Sequence, residues 1–215
     1  MSPRPYQLGR RQAATDQTRA SIIAAARELL MSGDGFSGFT IDAVAKQAGV
    51  ARMTVYYQFG SKVGLLEAIS DDLAAHGQME RLANAFRQAN VLDALAEFIV
   101  QFFRFWASDR LVLRRLRSFA ARDTDFAQVL QARDERRREG LRVITRRLMA
   151  EYGRPAQEQY DETVDILYTL TSFESFDMLA TATRTAEEAA ALVHRFVCAA
   201  LGVAGSIDST TPDTI

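Results

Sequence analysis

The 215-residue chain is 48% hydrophobic and 25% charged, with four prolines and twelve glycines. That balance suits a folded core and excludes disordered and collagen-like classes, while no apolar run reaches the roughly 18 residues of a membrane span. A formal net charge of −1 excludes a uniformly basic nucleic-acid binder. The charge is unevenly spread, however: residues 1–62 hold eight Lys/Arg against four Asp/Glu, and residues 63–215 hold eighteen against twenty-three. A basic head on an acidic body is the expected arrangement. Cys198 stands alone, so no intramolecular disulfide can form, and residues 2–15 are polar and carry Arg4, Arg10 and Arg11 rather than a signal-peptide core. Both point to a cytoplasmic protein with no membrane partner.

In chain order, the pattern is helical throughout, with no period-two alternation between turn residues, so the expected fold is all-α. A flexible arm about 1–15, in which Arg10 and Arg11 could enter a minor groove, leads into a helix from about Asp16 to Ser32. Its apolar side is Ile22, Ile23, Ala26, Leu29 and Leu30, and the glycines of 33–38 end it. Thr40 caps a short helix carrying Ile41, Val44 and Ala45, with Asp42 at its positive end. Ala48-Gly49-Val50 makes a turn, a third helix covers about Arg52 to Gln58, and Ser61 caps a fourth that begins at Lys62 and runs past Leu73.

The later helices are longer. Leu92, Leu95, Ile99, Phe102, Phe103 and Trp106 keep helical spacing over 91–106, with Asn90 and Asp93 as a cap pair. A helix over about 124–151 carries the run 134–139, whose mixed signs predict a solvated, salt-bridged face. Two helices, about 159–182 and 186–202, close the body, with Thr185 and Glu188 as a capping box. Along the last one Ala189, Leu192, Val193, Phe196, Val197, Ala200 and Leu201 form an apolar stripe. Core packing explains such a stripe, and so does a four-helix interface with a second copy, for which Leu192, Phe196, Val197 and Ala200 are the candidates. Residues 206–215 read as a tail.

Residues 40–66 carry the functional signal. Two short helices joined by a turn containing Gly49 make a helix-turn-helix, with Val50 and Val55 stapling the entry to the second helix. Val55 and Phe59 face inward, which leaves Arg52, Met53, Tyr56 and Tyr57 for a DNA groove and its phosphates. The ordered series Thr40-Ile41-x-x-Val44-Ala45-x-x-Ala48-Gly49-Val50, then Thr54-Val55-Tyr56-Tyr57-x-Phe59-Gly60-Ser61-Lys62 and Leu65-Leu66 resembles the TetR family of bacterial regulators. The resemblance covers about 16–70. It implies an N-terminal three-helix DNA-binding domain, residues 1–62, and a helical ligand-binding and dimerisation domain, 63–205. It implies base contacts from Arg52, Met53 and Tyr57 and phosphate contacts from Thr54, Tyr56 and Lys62, with Thr40 also in the DNA-contacting set. It further implies a homodimer that represses from a two-fold symmetric operator and answers to a small-molecule effector. Two departures stand out: Ala51 occupies a cap position where the family often has Ser, and the connection before Phe36 is one residue longer than usual.

Other chemistry is poorly supported. Residues 33–38 spell G-x-G-x-x-G, but a helix rather than a strand precedes them and Gln58 stands where a ribose-binding acid belongs. His76 and His194 are isolated, one cysteine makes no soft metal site, and no nucleophile–base pair is spaced for catalysis, so neither enzyme activity nor a cofactor is expected. The body has more aromatic residues than a minimal core needs, and Thr171, Ser172, Glu174, Ser175 and Asp177 interrupt an apolar helix. Buried carboxylates are costly, so these groups face solvent, pair across an interface or line a cavity. Phe102, Trp106, Tyr168, Thr171 and Glu174 are the candidate effector contacts. The competing reading is a helical binding or enzymatic domain with a vestigial DNA reader.

Overall fold

The computed structural model describes residues 4–32, 38–153 and 157–203. Among these the structure is helical, with one isolated bridge between Thr181 and Arg184. The glycine-rich residues 33–37, the side chains of Arg10 and Arg11 and the tail 206–215 lie outside the described residues. The chain divides into two compact units, Met1–His76 with Asp109–Ala132, and Gly77–Ser108 with Arg133–Ile215.

In the first unit, α1 (Arg4–Met31) is followed by α2 (Ile41–Gln47), α3 (Arg52–Phe59) and α4 (Lys62–His76), and α7 (Arg110–Ala120) returns to pack on α1. The first helix begins at Arg4, not near Asp16 as expected. Arg10, Arg11, Gln12, Ala13 and Ala14 all favour a helix, and no breaker separates them from the apolar segment. Ile22, Ala26, Val44, Val55, Leu65, Leu66, Ile69 and Leu73 form a closed core. Arg27 ties this core together, its two terminal nitrogens donating to Asp72 at 2.6 Å and to Asp109 at 2.5 Å. Helix α7 is absent from the sequence-based expectation. Val112, Leu113, Leu116 and Phe119 nevertheless bury one face of it and arginines occupy the other, an ordinary amphipathic period.

The second unit is built on α6 (Val91–Ser108), against which α11 (Ala186–Ala200) and α5 (Leu82–Arg87) pack. Asn90 caps α6 by accepting from the backbone of Leu92 and Asp93. The capping box at Thr185 and Glu188 is complete, each side chain accepting from the other residue's backbone N–H. Buried Gln101 donates to the carbonyls of Gly77 and Gln78 and so holds the left-handed turn at Gln78. Helix α8 (Thr124–Tyr152) begins in the first unit and continues in the second.

Two expectations for this unit are corrected. The helix foreseen over 159–182 is two helices, α9 (Gln157–Leu170) and α10 (Phe173–Leu179). Ser172 ends one and caps the next, accepting from Ser175 N at 3.1 Å, while the Ser175 hydroxyl donates to Thr169 O at 2.6 Å. Of the polar residues in that stretch, Thr171, Ser172 and Ser175 therefore satisfy the backbone at a break. The run 134–139 is not wholly solvated either: Arg137 is only 3% exposed. Its Nη1 donates to Tyr168 O at 2.6 Å and to Thr171 Oγ1 at 2.8 Å, and its guanidinium lies 4.1 Å from the Tyr168 ring centroid. Asp134, one turn earlier, approaches it at 3.6 Å. Arg137 is thus a buried cation paired with Asp134, hydrogen-bonded through Nη1 and stacked on Tyr168.

Candidate nucleic-acid interface

The helix-turn-helix is α2, a tight turn and α3. Thr40 caps α2 by accepting from Ala43 N at 3.1 Å. The turn closes through Val50 N–H to Ala45 O at 2.9 Å, with Gly49 at φ +66°. A side chain is strained in that left-handed region, so glycine sets the angle between the two helices. Ala51 stands at the cap of α3 with no side-chain hydrogen bond, as its methyl group dictates.

Val55 is fully buried and fixes the rotation of α3 about its axis. The opposite face is then forced outward: Met53 is 67% exposed and Tyr57 92% exposed. Two large, largely apolar side chains held in water on a short helix are poorly placed for folding stability and well placed to meet a partner. Arg52 shares this face. Its Nη1 lies 3.2 Å from Asp42 Oδ2, its Nη2 lies 3.3 Å from the Tyr56 hydroxyl, and its guanidinium sits 5.5 Å from the Tyr56 ring. Those partners push the Arg52 pKa up, first through the Tyr56 hydrogen bond and then through the Asp42 charge. A surface pair this exposed exchanges readily for a stronger acceptor.

Arg19 on α1 was not foreseen. It donates to Gln58 O at 3.0 Å and lies 4.5 Å from the Phe59 ring centroid, bracing the last turn of α3 from behind. Lys62 occupies an unexpected setting. Its Nζ is 4.4 Å from the Phe119 ring centroid and 5.6 Å from that of Phe39. Burial lowers its pKa, partly offset by Asp123. Non-local seats of this kind leave no trace in local spacing.

The candidate effector residues are only partly brought together. Phe102, Trp106 and Thr171 are buried as a group, Trp106 Nε1 donating to Thr171 O at 3.1 Å and its ring centroid lying 5.9 Å from Phe102 and 5.8 Å from Phe173. Tyr168 is half-buried beside Arg137, and Glu174 is exposed on the first turn of α10. On α11 the apolar stripe divides. Ala189, Val193 and Val197 are buried within the chain, whereas Phe196 is 59% exposed, Ala200 is exposed and Leu192 is half-buried. No described helix is long and apolar enough to cross a membrane.

Comparison with known proteins agrees with this geometry. Residues 22–69 match the family model described as bacterial regulatory proteins, tetR family. The chain is 26% identical over 181 residues to the HTH-type transcriptional regulator AlkX of Mycobacterium tuberculosis, covering 72% of this chain and 84% of that protein. It is 40% identical over 63 residues to the HTH-type transcriptional regulator SrpR of Pseudomonas putida, 29% of either chain. Among solved structures, a TetR-like transcriptional regulator from Rhodococcus sp. RHA1 superposes with a TM-score of 0.63 at 21% identity, over 86% of this chain and 96% of that one. These relatives are regulators rather than enzymes.

Proposed function

We propose that the chain, whose residues 22–69 match the tetR-family model, is a member of that family of regulators and acts as a cytoplasmic repressor that binds a two-fold symmetric operator as a homodimer. Residues 1–62 act as the reader, and residues 63–205 dimerise and respond to a small molecule. The observation that carries this reading is the outward face of α3, where Arg52, Met53 and Tyr57 surround no core of their own while Val55 is fully buried behind them. Arg52, Met53 and Tyr57 meet base edges, and Thr54, Tyr56 and Lys62, with Thr40 at the start of α2, hold phosphates.

Dimerisation uses the exposed side of α11, through Leu192, Phe196 and Ala200, with Val197 supporting it from the core side. Effector control belongs to the second unit, around Phe102, Trp106, Tyr168 and Thr171, with Glu174 at its edge. An effector there must favour one state of the dimer over another, since equal affinity for both shifts nothing.

Selection from a randomised duplex library tests the DNA-binding reading. The expected product is an enriched sequence with two-fold symmetry, bound at least about a thousandfold more tightly than a scrambled duplex at physiological salt. Failure to enrich any sequence, with only salt-sensitive binding to all duplexes, refutes it in favour of a vestigial reader.

A further inference from the structure

Arg52 is the only basic residue of α3 and stands in its first turn, beside the exposed Met53. Its guanidinium is held from two sides. Asp42, in the first turn of α2, accepts from Nη1 at 3.2 Å, and the Tyr56 hydroxyl, one turn further along α3, accepts from Nη2 at 3.3 Å. Both side chains of the ion pair are more than half exposed. In water such a pair contributes little to stability. A carboxylate on a face that meets a polyanion, moreover, weakens every duplex it approaches. Asp42 therefore opposes DNA binding in general while touching the one cation of the recognition helix.

The chemistry of the two acceptors gives this arrangement a use. A guanidinium has five N–H groups, two of them on each terminal nitrogen, so Nη1 and Nη2 can each keep a protein acceptor and still donate once more. The Tyr56 hydroxyl, accepting from Arg52, likewise keeps its own proton for a phosphate. A fork offering one further N–H from each terminal nitrogen matches the O6 and N7 acceptors of guanine in a major groove. Without lateral partners, an arginine here would turn instead to the fully charged phosphates on either side of the groove.

We propose that Asp42 is the positioning residue that makes Arg52 a guanine reader: it holds the fork over the base edge and off the phosphates, while weakening DNA binding as a whole. The assignment rests on the DNA-binding reading above and deepens it, by naming the base that Arg52 meets. As DNA displaces water from the pair, the local dielectric falls and the hold of the carboxylate strengthens at the moment of recognition.

Library selection with the wild type, Asp42→Asn, Arg52→Ala and the double variant tests this, with anisotropy on selected and scrambled duplexes and a thermal melt of each chain. The wild type should select guanine at the half-site position where Arg52→Ala loses preference. Asp42→Asn should lose preference at that same position and no other, and should lower the ratio of selected to scrambled affinity by about tenfold. It should also bind the scrambled duplex about two- to fivefold more tightly than the wild type does. In the Arg52→Ala background, Asp42→Asn should leave the base preferences unaltered. Placing 7-deazaguanine at that position removes the N7 acceptor; it should weaken the wild type by about tenfold and Asp42→Asn by less than about threefold.

A wild-type preference for another base there, or an Asp42→Asn chain with the wild-type profile and the wild-type response to 7-deazaguanine, overturns the proposal. So does a loss spread over the whole half-site with a lowered melting temperature, which would make Asp42 only a charge at the positive end of α2. A wild type that enriches no duplex refutes the DNA-binding reading itself, and the role of Asp42 with it.

Discussion

Gly64→Ala probes how closely α3 and α4 are set against each other. Gly64 lies in the first turn of α4, its N–H donating to Ser61 Oγ at 3.0 Å. A Cβ at this position would overlap the carbonyl oxygen of Phe59, the last residue of α3, and sit 3.2 Å from its carbonyl carbon. To restore the minimum of 3.0 Å to that oxygen the two helices must part by roughly 1 Å. Alanine favours a helix over glycine by about 1 kcal/mol, but an overlap with rigid backbone costs about 1–3 kcal/mol, so the clash wins. A displaced α3 loses base-edge hydrogen bonds, which form only near 2.7–3.2 Å, whereas long side chains on phosphates follow the movement. Affinity for the selected duplex should therefore fall by about 10- to 100-fold while affinity for a scrambled duplex changes by less than about threefold. Fluorescence anisotropy on both duplexes measures the difference, with a thermal melt beside it. Wild-type affinity and an unchanged or raised melting temperature would refute the reasoning.

Arg52→Ala should weaken the selected duplex on the order of tenfold and relax preference at one position in each half-site; equal losses on selected and scrambled DNA would restrict Arg52 to phosphate. Phe196→Asp should yield monomers by sedimentation with helicity preserved, and a folded dimer would place the interface elsewhere. Arg137→Met, which removes the short hydrogen bond to the Tyr168 carbonyl and the buried cation beside Asp134, should cost about 2–4 kcal/mol and lower the melting temperature by roughly 4–16 °C. A melt within about 1 °C of wild type would mean the stacked arginine adds nothing beyond its volume.

The reader was legible because its signals are local. Thr40 and Gly49 act within a few residues of themselves, and the inward turn of Val55 follows from helical period alone. Capping was legible for the same reason at Asn90 and at Thr185–Glu188. Three features escaped, each by depending on something distant or on a second use of a familiar residue. Thr171, Ser172 and Ser175 looked like groups in need of a cavity or partner because a break between two helices is another way to satisfy the same hydroxyls. Arg137 hid in a run of mixed charges, where nothing marks which of several arginines turns inward toward Tyr168. Lys62 carries a phosphate-binding residue's address in sequence, yet its seat is formed by Phe119, on a helix more than fifty residues later. Helix α7 is different: Val112, Leu113, Leu116 and Phe119 gave it a clear amphipathic period, and arginine on its outer face drew attention away from it.

The junction at Thr171 and Ser172 bears on which parts of the molecule open together. Helix α10 has seven residues, too few to persist in water on its own strength. The carbonyls at the end of α9 are answered by side chains from three directions: Arg137 of α8 at Tyr168 O, Ser175 of α10 at Thr169 O, and Trp106 of α6 at Thr171 O. Releasing α10 alone would strand the Thr169 carbonyl and expose Phe173 and Phe176. Its amides should consequently exchange with deuterium at the slow rate of α6 and the inner part of α8, as members of one cooperative unit, rather than at the rate its length suggests.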